Sequence, residues 1–541
     1  MAGRQSHPHE EPENRSDHTR AADREDARRD EEARRFALQV VRRLREAGYE
    51  AYWAGGCVRD WLLGLRPHDY DVATNARPEE VQRLFRRTVA VGASFGVVEV
   101  IGPRVDGETI TVQVATFRSE GPYSDGRHPD SVTFTDAAHD AQRRDFTING
   151  LFYDPLTGKV LDYVGGQQDL QARLLRAIGN PRERFTEDKL RMLRAVRLAS
   201  HFQLTIESET AAAIQAMADQ ITVVSAERIA EELRRLLTSP GRVRGMELLR
   251  HLNLLPPIFP ELASMPHLVL PNETDDVSVH AQPRVAGIDA SSPGQTSSGE
   301  SSSPAGVGVT TGESPLKPGD AATAATSPTL WEHTLNVLGL LREPSFPLAL
   351  AALFHDAGKI SQIAHSETAA RTSGVSVSTP APARQTLFPN HEKIGAELVE
   401  CAGRRLRLAN VEWQRAAWLV AHHHSLDAPW ELPWHVLKPL LAHEAIGELL
   451  ELVRANLLAH GRSLEPVEFC QRKLHEWPRE FLDPPQLITG YDLIALGLEP
   501  GPIFKELLQR VRDAQLDGMI STREEALALV RRLSSRQIEA N

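Results

Sequence analysis

The chain has 541 residues, room for three or four domains with sizeable cores. Its formal net charge of −12 argues against a protein that coats nucleic acid non-specifically, but leaves room for a local basic groove. No run of about 18 apolar residues offers a membrane-spanning helix, and the chain begins with charged residues rather than an apolar leader. Cys57, Cys401 and Cys470 are scattered without metal-ligand spacing, which fits a reducing cytoplasm.

Residues 1–30 are nearly all charged or polar and are expected to be a disordered tail. An amphipathic helix is predicted from about Glu31 to Ala47, with Phe36, Val40, Val41 and Leu44 on one face and Gly48 just past its end. Tyr49 to Ala54 reads as a strand feeding a glycine turn, and a helix starting near Val58 continues through Trp61-Leu62-Leu63. Short strands are predicted at 69–73, 89–91, 96–101, 109–116 and 159–163; Thr109 to Val114 alternates like a half-buried strand. The pattern is helical from about 166 to 268. Residues 269–328 are rich in Ser, Gly and Pro and too poor in large apolar residues to bury a core, so they read as a flexible linker. The rest is mostly helical, interrupted by a low-complexity insert at 361–386.

The most informative stretch is Gly55-Gly56-Cys57-Val58-Arg59-Asp60, followed by Asp69-Tyr70-Asp71. On a strand, positions 69 and 71 point to the same face. Two bare carboxylates at ~5 Å repel by about 3 kcal/mol at an effective dielectric near 20, and a divalent cation between them turns that cost into binding. This is the layout of a site for a nucleoside triphosphate with its magnesium; the plain alternative is a solvated Asp-x-Asp turn. Gly56 lets backbone amides approach phosphate oxygens at the start of a helix. Arg59 can fork onto a phosphate, or simply pair with Asp60.

Two more blocks follow: Arg143-Arg144-Asp145-Phe146-Thr147-Ile148-Asn149-Gly150, and Gly179-Asn180-Pro181 with Phe185-Thr186-Glu187-Asp188-Lys189-Leu190-Arg191-Met192-Leu193-Arg194. In this order, the four blocks closely resemble the bacterial tRNA nucleotidyltransferase and poly(A) polymerase family over roughly 35–268. The resemblance implies that Asp69 and Asp71 hold Mg2+ and carry catalysis, that Gly55, Gly56, Arg59, Arg144 and Arg194 meet the nucleotide, and that Asp145 contacts its ribose. It also implies that Asp188 and Arg191, three apart on a predicted helix and so on one face, read the base. A carboxylate accepts from the exocyclic amino group of cytosine or adenine and a guanidinium donates to the adjacent ring acceptor, whereas uracil and guanine present a carbonyl there. The plain alternative is a helix capped by Thr186 with Glu187 and Asp188 in its first turn. Where relatives often carry a third acid this chain has Gln113, with Glu99 as a nearby alternative.

Further on, Phe354-His355-Asp356-Ala357-Gly358-Lys359, with His333 upstream and His391 and His422-His423-His424 downstream, resembles the His-Asp (HD) phosphohydrolase superfamily over about 329–460. That resemblance implies His333, His355 and Asp356 as metal ligands, with His391 and either His422 or His423 near a second metal. Imidazole with carboxylate suits a transition metal such as Ni2+ or Mn2+. Asn456 stands where the last acidic ligand is expected, which puts metal occupancy in doubt.

These readings predict an α+β chain. A nucleotidyltransferase head with a small mixed β-sheet spans 31–165 and an extended all-helical neck for base recognition and RNA binding spans 166–268. An HD-type helical domain follows the linker over 329–460, and a helical tail covers 461–541. The expected activity is template-independent addition of CCA to tRNA 3′ ends from CTP and ATP by two-metal nucleotidyl transfer, with no DNA or membrane partner. The alternatives are an enzyme adding only adenosines, to tRNA or as poly(A), an HD-type metal phosphohydrolase with an RNA-binding head, and a non-catalytic RNA-binding adaptor.

Overall fold

Ala33, Ala37, Val40, Val41 and Leu44 form the buried stripe of α1 (Asp17–Glu46), which packs across the sheet of the head. The computed structural model describes residues 17–67, 69–90, 96–121, 131–269, 328–360, 362 and 388–538. Residues 1–16, nearly all of the 269–328 linker and nearly all of the 361–386 insert therefore lie outside the described residues. The helix starts at Asp17, not Glu31, so residues 17–30 extend it instead of belonging to a disordered tail. Its Ala-, Arg- and Glu-rich composition favours helix. Arg28 and Arg29 also pair with Asp106 and Glu108 in the sheet.

The sheet is mixed and seven-stranded: β1 (Ala51–Ala54), β2 (Asp71–Thr74), β3 (Thr88–Val89), β4 (Val97–Val105), β5 (Glu108–Thr116), β8 (Leu151–Asp154) and β9 (Lys159–Asp162), in the order β3-β4-β5-β2-β1-β8-β9. Only β2 and β5 run parallel; the other neighbours are antiparallel. β6 (Arg118–Glu120) and β7 (Val132–Phe134) form a separate ribbon. β8 has no counterpart among the predicted strands. It is four residues long and nearly all buried, so it lacks the alternation that marks a half-exposed strand. The face away from α1 is closed by Tyr52, Ala54, Ala73, Phe117 and Phe152 with Ala137 and Ala141 of α4 (Ala137–Gln142).

After α2 (Gly56–Leu62), α3 (Pro78–Leu84), α4 and α5 (Gly166–Gln171), the neck consists of α6 (Pro181–Glu187), α7 (Leu190–His201), α8 (Ser208–Met217), α9 (Ala226–Leu237), α10 (Arg242–His251) and α11 (Leu255–Ile258). Two further helices, α12 (Leu330–Leu340) and α13 (Phe346–Phe354), open the next helical unit. This unit packs directly on the neck. Buried Arg242 donates to the carbonyls of Leu338 and Leu341 at the end of α12, Trp331 donates to Glu247, and Arg234 forks onto Glu412 at 2.7 Å. Val269 and Thr329 form an antiparallel bridge, so the chain leaves and returns at one place. The residues that flank the 269–328 segment thus meet on one continuous core. The C-terminal helices build a second core around Leu493, Leu507, Val511 and Val530.

The neck depends on one close approach. A Cβ on Gly241, just before α10, would lie 2.3 Å from the backbone oxygen of Ser200 in α7. No rotamer relieves a clash with backbone, so Gly241→Ala is expected to destabilise the protein by about 1–3 kcal/mol, read as a lower denaturant midpoint with an unchanged slope.

Candidate functional site

Strand register assembles the site. Ala54, the last residue of β1, pairs with Asp71, the first of β2, so the turn after β1 opens beside Asp71. Gly55 adopts φ 72°, ψ −125°, a conformation that glycine tolerates, and a Cβ there would sit 2.9 Å from Arg144 Nη1. α2 begins at once but has only 7 residues, so positive charge in the cleft comes mainly from arginines. Six of them, Arg59, Arg143, Arg144, Arg191, Arg194 and Arg228, line a cleft of ≈ 410 Å³ together with Gly55, Gly56, Asp71, Asp145, Asn149 and Asp188.

Each arginine is held in place. Arg59 donates to Asp60 and to Asn149 Oδ1 at 2.7 Å and lies 4.2 Å over the Phe202 ring. The Asp60 pairing weighed from sequence is therefore present, and Arg59 still borders the cleft. Buried Asp140 clamps two neighbours, accepting from Arg143 at 2.8 Å and Arg144 at 3.0 Å. Burial alone would raise the Asp140 pKa, but Arg144 and Arg143 outweigh it and hold the carboxyl below the ordinary range. Arg194 binds Asp145 through Nε at 3.0 Å and Nη2 at 2.7 Å. The other Asp145 oxygen accepts from the Phe146 amide and Asn149 Nδ2. Burial opposes its charge, yet Arg194 and Asn149 keep the Asp145 carboxyl well below the usual range. With about four acceptor positions on a carboxylate, a ribose hydroxyl would have to displace one of these donors.

Asp69 and Asp71 are both exposed, and Tyr70 between them is buried with its ring 4.8 Å from that of Trp53. Asp69 precedes β2 instead of lying in it, and it is not among the cleft-lining residues. Among the described residues neither carboxylate forms a hydrogen bond or direct ion pair. The protein around Asp71 raises its pKa, Arg144 opposes the rise and Asp69 adds to it. A pair of unpartnered acids that repel each other fits a divalent cation, with Asp69 and Asp71 as its holders. Across the sheet Asp71 pairs with Gln113 and Gln113 with Glu99, so the three form one row. Gln113 occupies the place next to Asp71, and Glu99 stands one strand further away.

The expected base-reading helix is broken. Asp188 is an extended residue (φ −146°, ψ 107°) at the end of α6, and α7 starts at Leu190, so Asp188 and Arg191 do not share one helix face. Thr186 lies in the last turn of α6 and bonds back to Arg182, so it is not an N-cap. Asp188 and Arg191 still both line the cleft. Arg191 binds Glu187 at 2.5 Å and the Arg184 carbonyl, while Asp188 is held by Arg228.

A second cluster forms around buried Asp356. His355, His391 and His423 each donate Nδ1–H to a carbonyl three residues back, Ala352, Phe388 and Val420, at 2.7–2.9 Å. That fixes the tautomer and turns Nε2 toward Asp356, the arrangement that outer partners impose on metal-bound imidazoles. The Nε2 atoms lie 3.5 Å (His355, His391) and 3.8 Å (His423) from Asp356 oxygens, with His333 at 3.7 Å. Burial pushes His333 and His423 down to about 4 and His355 well below its usual value, so these rings are neutral near pH 7. Lys359 Nζ pairs with Asp356 Oδ2 at 2.8 Å, but on the Oδ1 side the His423 lone pair faces the carboxylate, which is unfavourable unless a cation lies between them. Asp356 Oδ1, His391 Nε2, His423 Nε2 and Asn456 Oδ1 are buried with no hydrogen-bond partner. Asp356 is shared by two potential ligand groups, one with His391, His423 and His424, the other with His333 and His355. These residues fit a divalent metal. His423 is thus the histidine facing Asp356, while His422 stacks on Trp418 and bonds to its carbonyl.

Sequence reasoning missed Asp140, Asn149, Arg143, Arg228 and His424. Asp140 stands three and four residues before the arginine pair, a helical spacing that could have exposed it. Asn149 lies inside the quoted block. Arg228 is 40 residues from Asp188 and carries no local signal.

An arginine-lined cleft between a mixed sheet and a helical neck suits a phosphate-rich ligand. Residues 51–176 match the poly A polymerase head domain, 203–265 the probable RNA and SrmB-binding site of polymerase A, and 330–454 the HD domain. These segments of the chain are thus similar to the head, RNA-binding and HD segments of tRNA nucleotidyltransferases and poly(A) polymerases. It is 45% identical over 212 residues to a CCA-adding enzyme of Levilactobacillus brevis, covering 39% of this chain and 52% of that one. It is 42% identical over 241 residues to poly(A) polymerase I of Salmonella typhi, covering 42% and 50%. The chain thus spans about half the length of the curated relatives it matches. Its fold is similar to the Bacillus stearothermophilus CCA-adding enzyme solved with CTP, with TM-score 0.57 and 24% identity over 93% of this chain and 98% of that one. Among the described residues no helix is long and apolar enough to cross a membrane.

Ni2+ or Mn2+ added to metal-stripped full-length protein is expected to raise its melting temperature, with about 2.7 kcal/mol of stabilisation at a hundredfold excess over Kd. His423→Ala should bind the metal at least tenfold more weakly, and Asn456→Asp more tightly, as read by metal content and thermal melting.

Proposed function

We propose that this chain adds C, C and A to tRNA 3′ ends from CTP and ATP without a nucleic-acid template. The observation that carries this reading is the convergence of Asp71, Asp188 and six arginines, Arg191 among them, on one cleft. The names of the matched relatives, CCA-adding enzymes and a poly(A) polymerase, support the reaction class. The RNA 3′ hydroxyl forms a bond to the α-phosphorus as the bond to the bridging oxygen breaks, and pyrophosphate leaves. Arg59, Arg144 and Arg194 offset phosphate charge, the Gly55-Gly56 turn gives the triphosphate close backbone approach, and Asp188 with Arg191 selects a base with an amino group. Asp69 and Asp71 would hold two divalent ions, Mg2+ in this reading, which would supply acidification of the hydroxyl and neutralisation of the leaving group respectively. The substrate places the work in the cytoplasm.

Two other readings rest on their own observations. The similarity to poly(A) polymerase I favours an enzyme that adds only adenosines, for which Asp188 and Arg191 are equally suited. The unpartnered donors around Asp356 favour a metal-dependent phosphohydrolase in the HD domain, weakened by the neutral Asn456. Incubation of the protein with tRNA lacking its last three nucleotides, with CTP and ATP apart and together, separates them. The expected product gains three nucleotides only when both are present; growth with ATP alone would move the assignment to A addition. Asp71→Ala is expected to reduce incorporation at least a thousandfold while tRNA binding stays measurable, and persistent incorporation would remove Asp71 from the metal site.

A further inference from the structure

Asp188 is the residue on which base choice rests in the function proposed above; its carbonyl accepts from the Arg191 amide at 3.1 Å, but that bond does not orient its carboxylate. It lies between two helices in an extended conformation, and its amide reaches the Arg184 carbonyl only at 3.4 Å. What fixes its carboxylate is a fork from another helix. Arg228, in the first turn of α9, donates Nη1 to Oδ1 at 3.2 Å and Nη2 to Oδ2 at 2.6 Å. The two side chains are largely buried, at 23% and 14% exposure, and both line the cleft. Among the described residues the only other donor to this carboxylate is the Leu190 amide, 3.1 Å from Oδ1.

We propose that Arg228 is a positioning residue for base choice: its fork holds Asp188 away from Arg191 and leaves one acceptor position for the amino group of cytosine or adenine. The acceptor count supports this. Of about four positions on the carboxylate, Arg228 takes two and Leu190 one, so one remains on Oδ2. Separation of the charges matters equally. Asp188 and Arg191 carry opposite charges on one cleft, and pairing with each other would leave neither for a base. Instead each has a partner outside the pair, Arg228 for Asp188 and Glu187 for Arg191. A bidentate arginine also fixes the plane of a carboxylate, which a lysine cannot do.

The test uses full-length protein, tRNA lacking its last three nucleotides, and the kcat/KM ratios of CTP over UTP and ATP over GTP. The inference rests on Asp188 reading the base, so Asp188→Ala is measured beside Arg228→Leu and Arg228→Lys. Arg228→Leu is expected to lower both ratios at least tenfold, mainly through a higher KM for the correct nucleotide, and Arg228→Lys to recover part of the loss. If Asp188→Ala loses selectivity while Arg228→Leu keeps the wild-type ratios, the positioning role is overturned and the base-reading assignment stands. If Asp188→Ala also keeps them, both fall. Should Arg228→Leu fail to fold, wild-type ratios in Arg228→Lys and Arg228→Gln would overturn the role equally.

Discussion

The cleft depends on one buried carboxylate. Asp145 belongs to the head, and its partner Arg194 belongs to the neck helix α7. Arg194 also approaches Glu232 of α9, and Glu232 binds Arg197, so a chain of charges runs from the sheet through two neck helices. A buried ion pair is costly to desolvate and costlier to break on one side. This one gives the head and neck a fixed relation and so sets the walls of the pocket. Asp140 does the same at shorter range by holding Arg143 and Arg144 from below. The arginines that would meet phosphate are therefore ordered before any ligand arrives, which limits the conformational entropy lost on binding.

The HD cluster shows the opposite electrostatic logic. Burial keeps His333, His355 and His423 neutral, backbone carbonyls aim His355, His391 and His423, and the rings converge on Asp356, whose Oδ1 has no hydrogen-bond partner. Gly358 makes the convergence possible, since a Cβ there would lie 2.0 Å from the His391 carbonyl oxygen. This centre is anchored to the neck, with Phe259 of the neck packed edge-on against Phe354 beside His355, 5.9 Å between ring centres. Long low-complexity segments leave and rejoin this body at nearly one point, at Val269 and Thr329 and again near Gln362 and Pro389. Long insertions of that kind cost little when their ends are already fixed by the core.

Much of this was legible in the sequence because it rests on local chemistry. Glycine at a turn with positive φ, alternating acids beside a buried aromatic, a stripe of apolar residues on α1 and a histidine–aspartate pair before a glycine all announce themselves within a few residues. The broken helix at Asp188 was not legible. Its composition suits a continuous helix, and only packing of α6 and α7 as separate elements turns Asp188 out. β8 was lost for the same reason, since a strand buried on both faces has no pattern to distinguish it from other apolar runs.

The sequence by itself therefore determined the chemical groups: which residues carry charge, which can ligate a cation, and which positions permit a tight turn. The tertiary structure decided their partners. Strand register put Gln113 rather than an acid beside Asp71, helix packing brought Arg228 to Asp188 across 40 residues, and the fold chose His423 over His422 to face Asp356. Such pairings depend on distances in space between elements remote in the chain, and no local spacing encodes those.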